Sequence, residues 1–145
     1  MSVEWQRGDR DFGLGYDRDH LWKFDGGATI EASSAPSLMG NPALVDPEAA
    51  FVAAISSCHM LWFLFLAAKE GLTVDCYEDS AVGYMERDAT GVTWITRVEL
   101  VPRISFAPAS SPSATLIRDL HDRSHHNCFI ANSVRTQITV VRAQS

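Results

Sequence analysis

Residues 46–71, DPEAAFVAAISSCHMLWFLFLAAKEG, are the stretch that decides the fold. Asp46 can cap a helix, Pro47 suits the first helical position, and Glu48 complements the positive end of the helix dipole. Gly71 closes the stretch and can adopt the left-handed backbone conformation that ends many helices. The sequence therefore predicts one long helix between Asp46 and Gly71.

The middle of this helix carries no formal charge from residue 49 to residue 68. Such a length is enough to cross a bilayer. However, the polar cluster Ser56, Ser57, Cys58 and His59 lies at its centre, where a lone membrane span would leave it in hydrocarbon. We predict instead a helix in a protein core that is apolar on all sides because it is covered on all sides.

Composition restricts the class of protein. The chain has 145 residues, enough for one domain that buries roughly two thirds of its unfolded surface. With 46% hydrophobic and 21% charged residues, it is not a disordered chain. A net charge of −6 argues against nucleic-acid binding, and the chain has no basic run for an anionic membrane surface. Three cysteines and a charged N-terminal segment favour a cytoplasmic protein with reduced thiols.

Strand pairs flank the long helix on both sides. We expect a mobile N-terminal arm over residues 1–15, followed by a single domain over residues 16–145. A hairpin is predicted around Asp25-Gly26-Gly27, between strands 16–24 and 28–32. After the long helix, the pattern predicts strands 73–86 and 93–106, an amphipathic helix over 114–127 and a strand over 133–142. Strand pairs alternating with single helices define an α+β fold.

Two cysteines lie where they could carry chemistry. Cys58 is in the middle of the long helix, and Cys128 falls where the second helix gives way to a strand. If the fold places them side by side, they can act as an attacking thiolate and a resolving thiol. The alternative is that both are inert buried thiols. Cys76 lies in a predicted strand, and we assign it no role.

A thiolate that attacks an O–O bond needs a cation or a donor nearby, and an arginine held by a carboxylate is well suited to that task. Glu48 is a candidate for the carboxylate, although its charge also simply favours a helix start. Glu48 and Cys58 are ten residues apart, about 15 Å along one helix. Two copies packed antiparallel and crossing near Ala53 would bring Glu48 of one chain to Cys58 of the other. We therefore predict a homodimer with composite sites.

The histidines offer a different interpretation. His121 and His125 are spaced i, i+4 on one face of the second helix, and Cys128 follows three residues later. This pattern resembles half of a zinc site. No second cluster with ligand spacing completes it, so a solvated helix face is the alternative. His59 has no role assigned by pattern alone.

Five segments in order resemble the OsmC/Ohr family. They are DPEAAF at residues 46–51, AAISSCH at 53–59, GLTV at 71–74, ITRV at 95–98 and CFIANSV at 128–134. The resemblance extends over residues 16–140. It implies an intertwined homodimer with two central helices wrapped by sheets and a site at the subunit interface.

The resemblance also implies an activity. Family members are cytosolic thiol peroxidases that favour organic hydroperoxides. Cys58 matches the peroxidatic cysteine, which becomes a sulfenic acid, and Cys128 matches the resolving cysteine, which condenses with it to a disulfide. A dithiol reductant, in the family often a lipoylated protein, restores the thiols, and no metal or organic cofactor takes part. Glu48 matches the glutamate that holds the catalytic arginine.

The chain departs from the family at that arginine. The loop 33–45 before the long helix has no arginine or lysine, and neither does the hairpin turn at residues 25–27. Arg18 is the nearest candidate, although it is not at the matching position. Two alternatives to a peroxidase therefore stay open: a non-catalytic OsmC-like dimer that binds a small apolar ligand, and a dimer that binds metal through His121, His125 and Cys128.

Overall fold

The computed structural model describes residues 1–141, and the chain divides into two compact units, Met1–Phe51 and Val52–Ser145. The first unit holds a three-stranded antiparallel sheet in the order β1-β2-β3, with β1 at Ser2–Glu4, β2 at His20–Lys23 and β3 at Thr29–Ala32. A short 3-10 helix follows at Pro36–Leu38. The predicted hairpin is confirmed: β2 pairs with β3 around a turn in which Gly27 adopts a left-handed φ of 87°.

Strand β1 lies in the segment for which the sequence predicts a mobile arm. Ser2, Val3 and Glu4 pair with Lys23, Trp22 and Leu21 of β2. This pairing is long-range, and three residues are too few to reveal an alternating pattern in the sequence. The segment is thus partly built into the sheet.

The long helix α1 runs over Pro47–Lys69 and crosses the boundary between the units. Its start is capped as predicted, because the Ala49 amide donates to Oδ1 of Asp46 at 2.8 Å. Gly71 follows its end with a φ of 74°. By length and composition alone, α1 could cross a membrane. Within the single chain its burial is narrower than predicted, because the fully covered residues form one stripe: Ile55, His59, Phe63, Leu66 and Ala67.

The second unit contains two small sheets. β4 (Val74–Asp79) pairs with β7 (Pro102–Phe106), and β5 (Val82–Arg87) pairs with β6 (Thr93–Leu100). β8 (Gln137–Val140) joins β6 in parallel, as the third strand of the β5-β6-β8 sheet. The core of this unit is formed by Phe63, Leu66 and Ala67 of α1 with Leu120 of the second helix.

The prediction of two long strands over 73–86 and 93–106 is wrong, because each is broken into two strands that belong to different sheets. The two breaks lie next to each other, because Asp79 at the end of β4 bonds to Val101 between β6 and β7. The Asp79 carboxylate accepts from the amide of Val101 at 2.6 Å and from the hydroxyl of Ser56 on α1 at 2.5 Å. The amide of Val101 is therefore satisfied by a side chain instead of a neighbouring strand.

The second helix, α2, covers Ala114–Asn127, as predicted, and Ser113 caps it by accepting from the Leu116 amide. A 3-10 helix follows at Ala131–Ser133. The predicted strand 133–142 is therefore shorter in the structure, where it is β8, and residue 142 lies outside the described residues.

Candidate functional site

Cys58 and Cys128 meet where α1 and the end of α2 come together. Cys128 is the residue that caps α2, and it is buried with 1% of its surface exposed, whereas Cys58 is half-buried. The two thiols are close enough for Cys58 to influence the protonation of Cys128. The structure thus brings together two thiols that lie seventy positions apart in the sequence.

The surroundings of Cys128 keep its thiol protonated. Burial, followed by the neighbouring thiol of Cys58, raises the pKa of Cys128 to about 11, above its ordinary value of 9.0. The amide of Ala131 donates to its sulfur at 3.4 Å and partly opposes this effect. A thiol that keeps its proton at neutral pH is a hydrogen-bond donor and a weak nucleophile. Of the two, Cys58 is therefore the better candidate for an attacking thiolate.

Apolar side chains lie next to the cysteines and remain exposed. Phe129 follows Cys128 with 71% of its surface exposed, and its ring meets Trp62 of α1 edge to face at 5.7 Å. Leu61, Trp62 and Phe65 line a small cavity of about 200 Å³ on α1. An apolar molecule, or an apolar surface of another chain, would find complementary contacts here.

Glu48 lies in the first turn of α1, as predicted. It is half-buried, and its Oε2 atom has no hydrogen-bond partner within the described part of the chain. A buried carboxylate oxygen without a partner is costly, so it calls for a donor. Helix-dipole stabilisation alone does not require this burial.

Arg18 lies in the first unit, and its guanidinium is engaged there. It donates to the carbonyl oxygens of Tyr16 at 2.7 Å and Leu14 at 3.0 Å, and it lies over the Tyr16 ring at 4.5 Å. With Asp19 and Asn41, it contributes to the lining of a cavity of about 320 Å³. These contacts give Arg18 a local structural role and supply no independent argument for a role at Cys58.

A buried histidine pair lies one residue from Cys58. His59 Nε2 is 3.0 Å from His121 Nδ1, and His59 and His121 are among the most buried polar residues of the chain. Burial, followed by the charges of His121 and His125, lowers the pKa of His59 from 6.5 to about 4. His121 is thus bonded to a histidine on α1, a contact that the alternative of a zinc half-site with His125 and Cys128 does not include. Within residues 1–141, no group of three or more His, Cys, Asp or Glu side chains could hold a metal ion.

The pattern that could have revealed this pair is the buried stripe of each helix. His59 is spaced i, i+4 from Ile55 and Phe63, which are both buried, and His121 shares a buried face with Ser124 and Cys128. Two histidines on the apolar faces of two helices that pack together can meet. The i, i+4 spacing of His121 and His125 within α2 does not by itself predict a contact with His59.

A family model described as OsmC-like protein matches residues 40–141. The chain belongs to the OsmC-like family. The match includes Glu48, Cys58 and Cys128. No curated protein sequence matches the chain.

Solved structures agree over nearly the whole chain. An OsmC-like protein of unknown function from Vibrio cholerae is 43% identical, with a TM-score of 0.92 over 97% of this chain and 95% of that one. A putative osmotic stress induced and detoxification response protein from Psychrobacter arcticus is 12% identical, with a TM-score of 0.75 over 97% and 92%. An organic hydroperoxide resistance protein OsmC from Legionella pneumophila is 14% identical, with a TM-score of 0.70 over 96% and 91%. The OsmC-like α+β fold predicted from the sequence is thus confirmed.

Proposed function

We propose that this protein is a cytoplasmic thiol peroxidase that reduces organic hydroperoxides in oxidative-stress defence. The observation that carries the proposal is the proximity of two free thiols, Cys58 on α1 and the buried Cys128 at the end of α2. The name of the Legionella pneumophila neighbour, an organic hydroperoxide resistance protein, points to the same substrate class.

The proposed oxidation of the protein takes place in two chemical steps. The Cys58 thiolate attacks one peroxide oxygen, the O–O bond breaks, and an alcohol leaves once the departing alkoxide takes up a proton. Cys58 is then a sulfenic acid. The Cys128 sulfur next attacks the Cys58 sulfur, an S–S bond forms, the S–O bond breaks, and the hydroxide leaves as water with the Cys128 proton. A dithiol reductant, such as a lipoylated protein, returns both thiols by exchange and becomes a disulfide itself.

The raised pKa of Cys128 is compatible with its role as the resolving thiol. Its thiolate is scarce at neutral pH, but the attack occurs within one chain, where a neighbouring group can reach an effective concentration of about 10⁵ M or more. A bulky external thiol does not enjoy this advantage. The adjacent apolar surface of Trp62 and Phe129 would favour an alkyl hydroperoxide over hydrogen peroxide.

The active form that we propose is a homodimer. Along α1, an exposed stripe at spacing i, i+4 begins with small residues, Ala49, Ala53 and Ser57, and continues with Leu61 and Phe65, which are 60% and 53% exposed. Small side chains let two helices approach closely, and large apolar side chains gain from being covered. The unpartnered Oε2 of Glu48 supports the same proposal, since a second chain could supply its donor. Loop 33–45 and the hairpin turn carry no arginine. In the proposed dimer, the donor to Glu48 must therefore come from another segment.

Thiol counting tests the proposal. One equivalent of an alkyl hydroperoxide should remove two free thiols from each chain, and Cys58→Ser should abolish this loss. Cys76→Ser is the matched control and should leave it intact, because Cys76 is an exposed residue of β4 and has no part in the proposed reaction. Cys128→Ser should react once, stall as a sulfenic acid and then over-oxidise. Survival of all three thiols would instead favour a non-catalytic dimer that binds an apolar ligand.

A further inference from the structure

A hydrogen-bonded histidine pair joins the two helices that carry the cysteines. His59 follows Cys58 on α1, and its Nε2 atom lies 3.0 Å from the Nδ1 atom of His121 on α2. The two ring planes are nearly parallel, with 5.3 Å between their centroids and 11° between the planes. Only 1% and 5% of these residues' surfaces are exposed, so the bond is shielded from competing water.

His121 lies on the same face of α2 as Cys128. His121, Ser124 and Cys128 are spaced i, i+3, i+7 and are all buried. Seven residues correspond to about 10.5 Å along a helix axis, which is less than two full turns. A helix is stiff over this length, so an anchor at His121 fixes where Cys128 stands relative to α1.

The pair lies in the core, where His59 is uncharged at neutral pH. Burial, followed by the charges of His121 and His125, lowers the pKa of His59 to about 4. The groups around His59 include Cys58 beside it on α1 and Tyr77 on β4, whose ring packs on Phe63. The hydrogen bond between the two rings gives a fixed distance between the helices.

We infer that His59 and His121 are positioning residues that hold Cys128 within reach of Cys58 for disulfide closure. The relevance of this role to catalysis rests on the proposed peroxidase function. The closure itself does not, because any two-electron oxidant of thiols can drive it. His59 and His121 act in the second chemical step, in which the S–S bond forms, and not in the attack of Cys58 on the peroxide.

Diamide provides the test, since its N=N bond accepts two electrons and two protons to become a hydrazine while the two thiols become a disulfide. In a Cys76→Ser background, His121→Leu removes the hydrogen bond, whereas His121→Asn keeps an acceptor near the place of Nδ1. Closure of Cys58–Cys128 should slow by about 10–100-fold in His121→Leu, because a misplacement of about 1 Å can cost about 100-fold in rate. His121→Asn should restore closure to within a few fold of the wild-type rate.

The attack of Cys58 on the hydroperoxide serves as a control, because a general loss of structure would slow this first step as well. In a Cys128→Ser background, trapping of the Cys58 sulfenic acid after an alkyl hydroperoxide should proceed at the same rate with and without His121→Leu. Equal diamide closure rates in the wild type and His121→Leu would overturn the inference. A wild-type protein that closes with diamide but ignores hydroperoxide would count against the proposed function and leave the diamide comparison valid.

A second variant covers the case in which His121→Leu does not fold. The double substitution His59→Leu with His121→Leu replaces both polar groups by apolar ones of similar size, so no polar group is buried without its partner. Slow closure in this folded variant would support the inference, and closure at the wild-type rate would overturn it.

Discussion

Replacing His59 by glutamine should reduce, by about 3 kcal/mol, the loss of stability that the protein undergoes between pH 6.5 and about pH 4. Glutamine keeps a donor near the place of Nε2 for the bond to His121, but it does not titrate. In the wild type, burial and the neighbouring His121 and His125 lower the pKa of His59 to about 4, against 6.5 without these influences. The substitution therefore removes a titration while keeping the hydrogen bond.

The sign and the size both follow from linkage. With a lower pKa in the folded state, the unfolded chain binds the proton more readily throughout this pH range. The contribution of His59 to the free energy of unfolding is complete above pH 6.5 and decreases as the pH falls. It stops changing below about pH 4, where His59 is protonated in both the folded and the unfolded state. At about 1.4 kcal/mol for each pH unit, the difference between 6.5 and about 4 corresponds to a loss of about 3 kcal/mol.

Urea denaturation at a fixed protein concentration, at several pH values in this range, measures the effect. The free energy of unfolding of the wild type should fall by about 3 kcal/mol more than that of His59→Gln. Exposed carboxylates such as Glu4 and Asp88 titrate alike in both proteins and cancel in the difference. His126→Gln, at the end of α2, is the control and should follow the wild type. If His59→Gln lost stability in parallel with the wild type, His59 would titrate normally and the reasoning would be refuted.

Three further predictions concern the site and its support. Glu48→Gln should slow the reaction of Cys58 with an alkyl hydroperoxide while changing the free energy of unfolding by only about 0.3–1 kcal/mol, and a reaction at the wild-type rate in stopped-flow assays would remove Glu48 from the site. Asp79→Ala should lower the free energy of unfolding in urea by about 1–3 kcal/mol for each donor it leaves unpaired, whereas Asp79→Asn, which keeps an acceptor, should cost less. Leu61→Glu on the exposed stripe of α1 should give a monomer in sedimentation velocity at micromolar concentration, whereas a monomeric wild type would contradict the proposed dimer.

Local signals were enough to predict the helices and the hairpin. Asp46, Ser113 and Gly71 act through bonds or backbone angles within a few residues, so their roles can be deduced from the sequence. The breaks in the two long strands depend on Asp79, which reaches Val101 across 22 positions. An alternating pattern continues across such a break because both halves have one covered face, so periodicity cannot locate it.

The cysteine pair and the histidine pair differ in how far the sequence reveals them. Cys58 and Cys128 fit family segments, and their residue type already limits the chemistry they can perform. His59 and His121 depend on the rotation of two helices about their axes, which sets whether their rings face each other or the solvent. This rotation follows from the tertiary packing of Phe63 and Leu120, so the sequence does not reveal that His121 bonds to His59.

The two parts of the candidate site differ in what a single chain supplies. The sulfur pair and the histidines that hold it are complete within residues 52–141, so disulfide closure needs no second copy. Glu48 is different, because its Oε2 is buried without a donor among the described residues, and the family's arginine is missing from the loop that precedes α1. A monomeric variant such as Leu61→Glu should therefore separate the two functions: it would close its disulfide with diamide as fast as the wild type, yet react slowly with hydroperoxide. If instead both rates stayed high in the monomer, activation of Cys58 would lie within one chain, and the composite site would be unnecessary.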